Sequence, residues 1–123
     1  KEVKKYVDIS LRSNPKNFIA LHILGRWHYE INNLSFLERA AVRVLYGGMP
    51  DASIRESINA FERSRAVAPG FLLNYLEMAK SYKQDGQNAK AIAYLKLMLS
   101  LPNQTEDDPA IKELGRSMLN DWK

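Results

Sequence analysis

The side chains that could do covalent or acid–base chemistry in this 123-residue chain are few and badly spaced for it. His22 and His28 lie six positions apart, so a helix would not put them on one face to share a metal. Glu56 and Glu62 are also six apart, whereas a helical carboxylate pair sits three or four apart. There is no Cys, which removes disulfides, thiolate nucleophiles and thiolate metal sites and fits a reducing compartment. No nucleophile elbow, phosphate-binding glycine loop or HExxH run occurs. The chain is therefore not expected to be an enzyme, and no cofactor or metal is expected. What remains is recognition chemistry: Arg26, Lys80 and Lys83, with Tyr29 as a flat contact, suit an acidic peptide or a phosphate head group. The net charge of +4 points the same way. Nucleic acid is not an expected partner, since Lys4-Lys5 is the sole adjacent basic pair.

The elements that must position these residues are legible first in Tyr75 to Pro102. Tyr75, Met78, Ala79 and Tyr82 fall on one face of a helix, and Ala91, Leu95 and Met98 on one face of the next. Gly86 lies between them, where a turn calls for positive φ. Ala79 and Ala91 are small where two helices would cross, with Tyr82 and Leu95 filling the space beside them. This is the pattern of a 34-residue tetratricopeptide helix–turn–helix unit. The fold expected is all-α: a tetratricopeptide-like helical-hairpin solenoid forming one domain over residues 1–123.

In chain order, residues 1–15 read as the second helix of a truncated repeat, with Val3, Val7 and Ser10 on its packing face and Asn14-Pro15 ending it. On this reading the chain is a fragment that begins inside that repeat. Residues 16–69 read as an interrupted repeat. Leu24-Gly25 matches Met78-Ala79 at a separation of 54, and Pro15 matches Pro69 at the same separation, so about 20 residues exceed the 34-residue unit. Within the excess, Ser35-Phe36-Leu37-Glu38 is a capping box and Gly47-Gly48 a stop, which predicts an inserted helix near 36–46. Its stripe of Phe36, Leu37, Ala40, Ala41, Val44 and Leu45 is expected to pack back on the repeats as core. Arg39 and Arg43 are expected on its other side, facing acidic tails or anionic lipid. Ser53-Ile54-Arg55-Glu56 is a second capping box, opening a helix that packs through Ser57, Phe61 and Ser64. Residues 70–103 form the regular repeat and 105–123 a capping helix that shields the last apolar face, lined by Ile111, Leu114, Gly115, Met118, Leu119 and Trp122.

In such repeats the first helices line a concave groove. Offsets from Gly25 and Ala79 place His22, Arg26, Tyr29 and Glu30, then Leu76, Lys80, Lys83 and Gln84, along it. His28 replaces a core aromatic and is expected to be packed. A phospholipid-binding or lipid-transfer module is the alternative reading. It rests on the amphipathic inserted helix and calls for an apolar cavity of several hundred Å³, as an order of magnitude.

The runs LGRWHYEINNLSFLERAAVRVLYG, SIRESINAFERSRAVAPGF and NYLEMAKSYKQDGQNAKAIAYLKLMLSLP resemble the regulator of microtubule dynamics family, over roughly residues 15–119. That family has tetratricopeptide-like repeats, one of which carries such an inserted helix. The resemblance implies a cytoplasmic microtubule-associated protein, acting with tubulin at the cytoskeleton and spindle and in chromosome segregation. It also implies, for members with an N-terminal anchor, the mitochondrial surface, endoplasmic reticulum contacts and binding of anionic phospholipid. No run of 18 apolar residues spans a membrane in this sequence.

Overall fold

Three side-chain oxygens turn back onto the helices they precede. Asn17 Oδ1 accepts from the Ala20 N–H at 3.1 Å, Ser35 Oγ from Glu38 at 3.2 Å, and Ser53 Oγ from Glu56 at 3.0 Å. Each satisfies a donor that the first turn leaves without an intrahelical partner. Glycines close other ends: Gly47 (φ 72°) and Gly48 (φ 151°) stop the third helix, and Gly86 (φ 80°) turns the fifth into the sixth.

The computed structural model describes residues 2–122. Among them the chain forms seven helices and no strand: α1 (Glu2–Ser13), α2 (Phe18–Asn32), α3 (Phe36–Tyr46), α4 (Ile54–Val67), α5 (Leu72–Gln84), α6 (Asn88–Ser100) and α7 (Asp108–Trp122). The fold is all-α and made of helical hairpins. α2 packs on α4 and α5 on α6, while α4 with α5 and α6 with α7 join successive hairpins. α2, α5 and α7 form a row, and α1 packs only on α2.

Two kinds of contact hold the row together. The first is apolar: Phe61, Leu72, Tyr75, Met78, Ala79, Leu95, Met98 and Leu119 form one buried cluster across α4–α7. The second is polar and sits where α2 meets α4 and α5. Ser57 Oγ donates to the Gly25 carbonyl at 2.7 Å and lies 2.8 Å from Ser81 Oγ. Ser64 Oγ donates to the Phe18 carbonyl at 2.9 Å. Gly25 is at the crossing itself, because a Cβ there would lie 2.6 Å from the Phe61 ring.

Several expectations need correction. Of the α1 face, Val7 is buried but Val3 is largely exposed. Leu114 of α7 is exposed too, although Gly115 and Leu119 are buried. The capping box at Ser35 is complete, with Glu38 Oε1 accepting from the Ser35 N–H at 2.9 Å. The one at Ser53 is only half formed: the Ser53 N–H donates instead to His28 Nδ1 at 3.2 Å. An imidazole from α2 has taken the place of the Glu56 carboxylate.

The largest correction concerns α3. Its stripe is not core: Phe36 is 81 % exposed, Leu37 78 %, Val44 83 % and Leu45 71 %, and Ala40 and Ala41 are exposed beside them. No other helix among the described residues packs on α3. Its inward side is instead Arg39, Val42 and Tyr46, spaced for one face and each half-buried. Arg39 is therefore not a solvated cation. Its guanidinium donates to the Leu34 and Asn32 carbonyls at 3.3 and 3.4 Å, tying α3 to the end of α2. Leaving four large apolar side chains in water forgoes about 1.5–3 kcal/mol each.

Candidate interaction surface

The residues expected along the groove do not assemble into a free basic patch. His22 is buried at 4 % exposure, packed against the Phe61 and Phe71 rings. Its Nδ1 lies 2.9 Å from Asn74 Oδ1, and Asn74 Nδ2 donates onward to the Phe61 carbonyl. Leu76 is likewise buried in the core. Both expected groove positions point inward: Phe61, Phe71 and Asn74 cover His22, and Leu76 of α5 lies against α7.

The cations have partners of their own. Arg26 Nη2 pairs with Glu30 Oε1 at 3.1 Å, one turn along α2. Lys80 Nζ meets Glu77 Oε1 at 3.4 Å, and Lys83 Nζ stands 5.5 Å over the Trp122 ring. Lys80 and Lys83 are half-buried rather than exposed, because α7 lies against α5. Tyr29 is half-buried, and burial first and Glu77 second raise its phenol above the ordinary range. Gln84 is exposed at the end of α5. Arg43 differs from the other cations: its side chain is exposed and makes no hydrogen bond or ion pair among the described residues.

Three hollows lie near these residues. One of about 340 Å³ is lined by Val3, Ile23, Trp27, Ile31 and Tyr46, with the Arg26–Glu30 pair at its edge. A second, of about 550 Å³, has walls of Phe18, Ile19, Phe71 and Leu72 and a rim of Gln104, Thr105 and Asp108. Asp108 is already satisfied there by the backbone N–H groups of Gln104 and Thr105 and by the Thr105 hydroxyl. A third, of about 400 Å³, is polar and holds Lys4, Asp8, His28, Asp51 and Glu56. Burial lowers the His28 pKa, Glu56 opposes that, Lys4 adds to it, and Asp51 and Asp8 oppose it further. No cluster of three or more metal-binding groups occurs among the described residues.

One assembled polar site was missed from the sequence. Glu62 Oε2 accepts from the Tyr82 and Tyr94 hydroxyls, the latter at 2.8 Å, and Oε1 accepts from Arg65 at 3.0 Å. Burial pushes this carboxyl up, but the three hydrogen bonds outweigh it and hold the pKa below its usual value. Glu62 joins α4, α5 and α6, so its work is structural. Its signal was available: Glu62 follows Phe61 on the packing side, and Tyr82, a core position, needs a partner for its hydroxyl.

The family model for regulator of microtubule dynamics protein 1-3 matches residues 1–123. The chain belongs to the regulator of microtubule dynamics family. Regulator of microtubule dynamics protein 3 from Xenopus laevis is 36% identical over 106 residues, covering 85% of this chain and 23% of the relative. Regulator of microtubule dynamics protein 2 from Homo sapiens is 30% identical over 117 residues, covering 94% of this chain and 28% of the relative. The chain thus spans about a quarter of the length of these relatives. In this member of the regulator of microtubule dynamics family, the most exposed apolar side chains among the described residues, Phe36, Leu37, Val44 and Leu45, lie together on the outer face of α3. No helix among the described residues is long and apolar enough to cross a membrane.

Proposed function

We propose that this domain is a non-enzymatic binding scaffold, tetratricopeptide-like in its repeats, by which a microtubule-associated protein engages tubulin at the cytoskeleton and spindle. The observation that carries the reading is the family match over the whole chain. The geometry supports it. Two ionisable groups set between helices are spent on joining them, His28 on the Ser53 N–H and Glu62 on two tyrosines. The surplus is positive, at +4, and suits an acidic protein surface. Co-sedimentation of the domain with polymerised tubulin across a salt series tests this. Binding is expected at low ionic strength and should weaken as the Debye length shrinks from roughly 30 Å at 0.01 M toward 8 Å at 0.15 M. No pelleting at low salt, or pelleting indifferent to salt, overturns the electrostatic account. A role in chromosome segregation is the finer part of the proposal, read out as spindle defects when the protein is depleted.

A second reading, phospholipid binding, is favoured by one observation. The hollow walled by Phe18, Ile19, Phe71 and Leu72, at about 550 Å³, falls in the size range of small-molecule sites. Lipid found by mass spectrometry in the purified domain, and lost on Ile19→Asp, supports that reading. A lipid-free preparation removes it.

A further inference from the structure

α3 is held helical at both ends and along its inner edge. Its N-terminus has a reciprocal capping box, its C-terminus a left-handed glycine, and its inner edge is pinned by Arg39. Yet its outer half-cylinder, Phe36, Leu37, Ala40, Ala41, Val44 and Leu45, meets only solvent. A contiguous exposed apolar face of this kind marks an interaction site. Pre-ordering it lowers the entropic cost of whatever it binds.

We propose that α3 is a docking helix that lays its Phe36–Leu37–Val44–Leu45 face into an apolar groove, rimmed by carboxylates, on the microtubule surface. This rests on the microtubule reading above and assigns that contact to the insertion instead of the α2–α5 row. Size decides against a second copy of this chain. An eleven-residue helix is ~16 Å long and about 10 Å across. Face-to-face pairing of two such helices covers only a few hundred Å², short of the roughly 800 Å² per partner of a stable interface. A groove that embraces both flanks of the helix is the geometry that uses such a face fully. Charge sets the rim. Arg43 borders the stripe beside Phe36 and has no side-chain partner among the described residues, whereas Glu38 at the opposite edge is engaged with Ser35. The free charge at this face is therefore positive. Charge also favours a protein over a lipid surface. Lipid-binding basic clusters carry about four to eight Lys or Arg, and α3 offers one unengaged Arg.

The test compares the unaltered domain with F36Q/L37Q/V44Q, with Arg43→Glu, and with Lys96→Glu as a remote surface control. Each is pelleted with polymerised tubulin and, separately, with vesicles of phosphatidylcholine and phosphatidylserine. The triple variant should lose at least about tenfold in microtubule affinity, and Arg43→Glu several-fold. Lys96→Glu should change little. Far-UV circular dichroism and the unfolding midpoint should be unaltered, since the three residues pack on no other helix. If the unaltered domain pellets and the triple variant pellets equally well, the docking role of α3 is wrong while the scaffold reading stands. If the unaltered domain does not pellet at low salt, both fall. If the triple substitution abolishes vesicle binding but not microtubule binding, the face belongs to a membrane and the proposal is overturned.

Discussion

Asn74 is the residue on which the joint between the two hairpins turns. Its Nδ2 donates to the Phe61 carbonyl, so its Oδ1 faces His22, and His22 must carry its proton on Nδ1. Asn74→Ala strands a buried imidazole N–H and removes a second donor from the Phe61 carbonyl, which keeps its partner within α4. With about 1–3 kcal/mol for the one orphaned group, a loss of roughly 1–3 kcal/mol is expected in urea unfolding. His22 and His28 also make the fold acid-sensitive. Burial is the largest influence on each and lowers both pKa values below 6.5. The unfolded chain then binds protons more readily, so the stability held above pH 6.5 drains as pH falls through that value. Glu62, whose folded pKa is also depressed, adds a second loss as pH falls below about 4.5. His28→Gln keeps an oxygen that can accept from the Ser53 N–H but cannot titrate. Its unfolding midpoint should vary less between pH 7 and 5 than that of the unaltered chain. His22 was assigned to a groove by helical offset alone. The clue against it lay in FLLNYLEM, where Asn74 sits among core positions and needs a buried partner.

Helix crossings depend on two glycines that differ in what they face. A Cβ on Gly25 would enter the Phe61 ring, a rigid group that is itself fully buried. A Cβ on Gly115 would meet the terminal methyl of Met98 at 2.2 Å, the free end of a flexible chain. Alanine gains about 1 kcal/mol in helix propensity at either site. Overpacking costs about 1–3 kcal/mol where neighbours cannot give way. Gly25→Ala is therefore expected to lower the thermal midpoint, and Gly115→Ala to leave it nearly unchanged or raise it. At this scale the sequence was informative wherever local chemistry decides: caps, the left-handed glycines and the small residues at crossings could all be read from residue type and spacing. The orientation of α3 could not. Periodicity marks two faces on a helix but does not say which one turns inward. Val42, Tyr46 and the stem of Arg39 gave the supposedly polar side enough apolar surface to be the buried one.

Across the whole molecule the apolar core is concentrated in α4–α7, and the chain thins toward its N-terminal end. α1 touches only α2 and leaves Val3, Tyr6 and Ile9 largely in water, while α3 carries no buried residue at all. Amide hydrogen exchange should therefore be graded. α3 and α1 exchange first, through local opening, and the buried stretches of α5 and α6 only by global unfolding. Uniform protection across all seven helices would contradict this. The bond from Ser53 to His28 has one more consequence. It brings the chain back beside α2 after an excursion tied to that helix by Arg39 at its end and Tyr46 at the hollow beside Trp27. Residues 33–52 are thus a cassette with a common entry and exit. They could be excised for a short turn, or exchanged for a foreign loop, without disturbing the register of the hairpin that frames them.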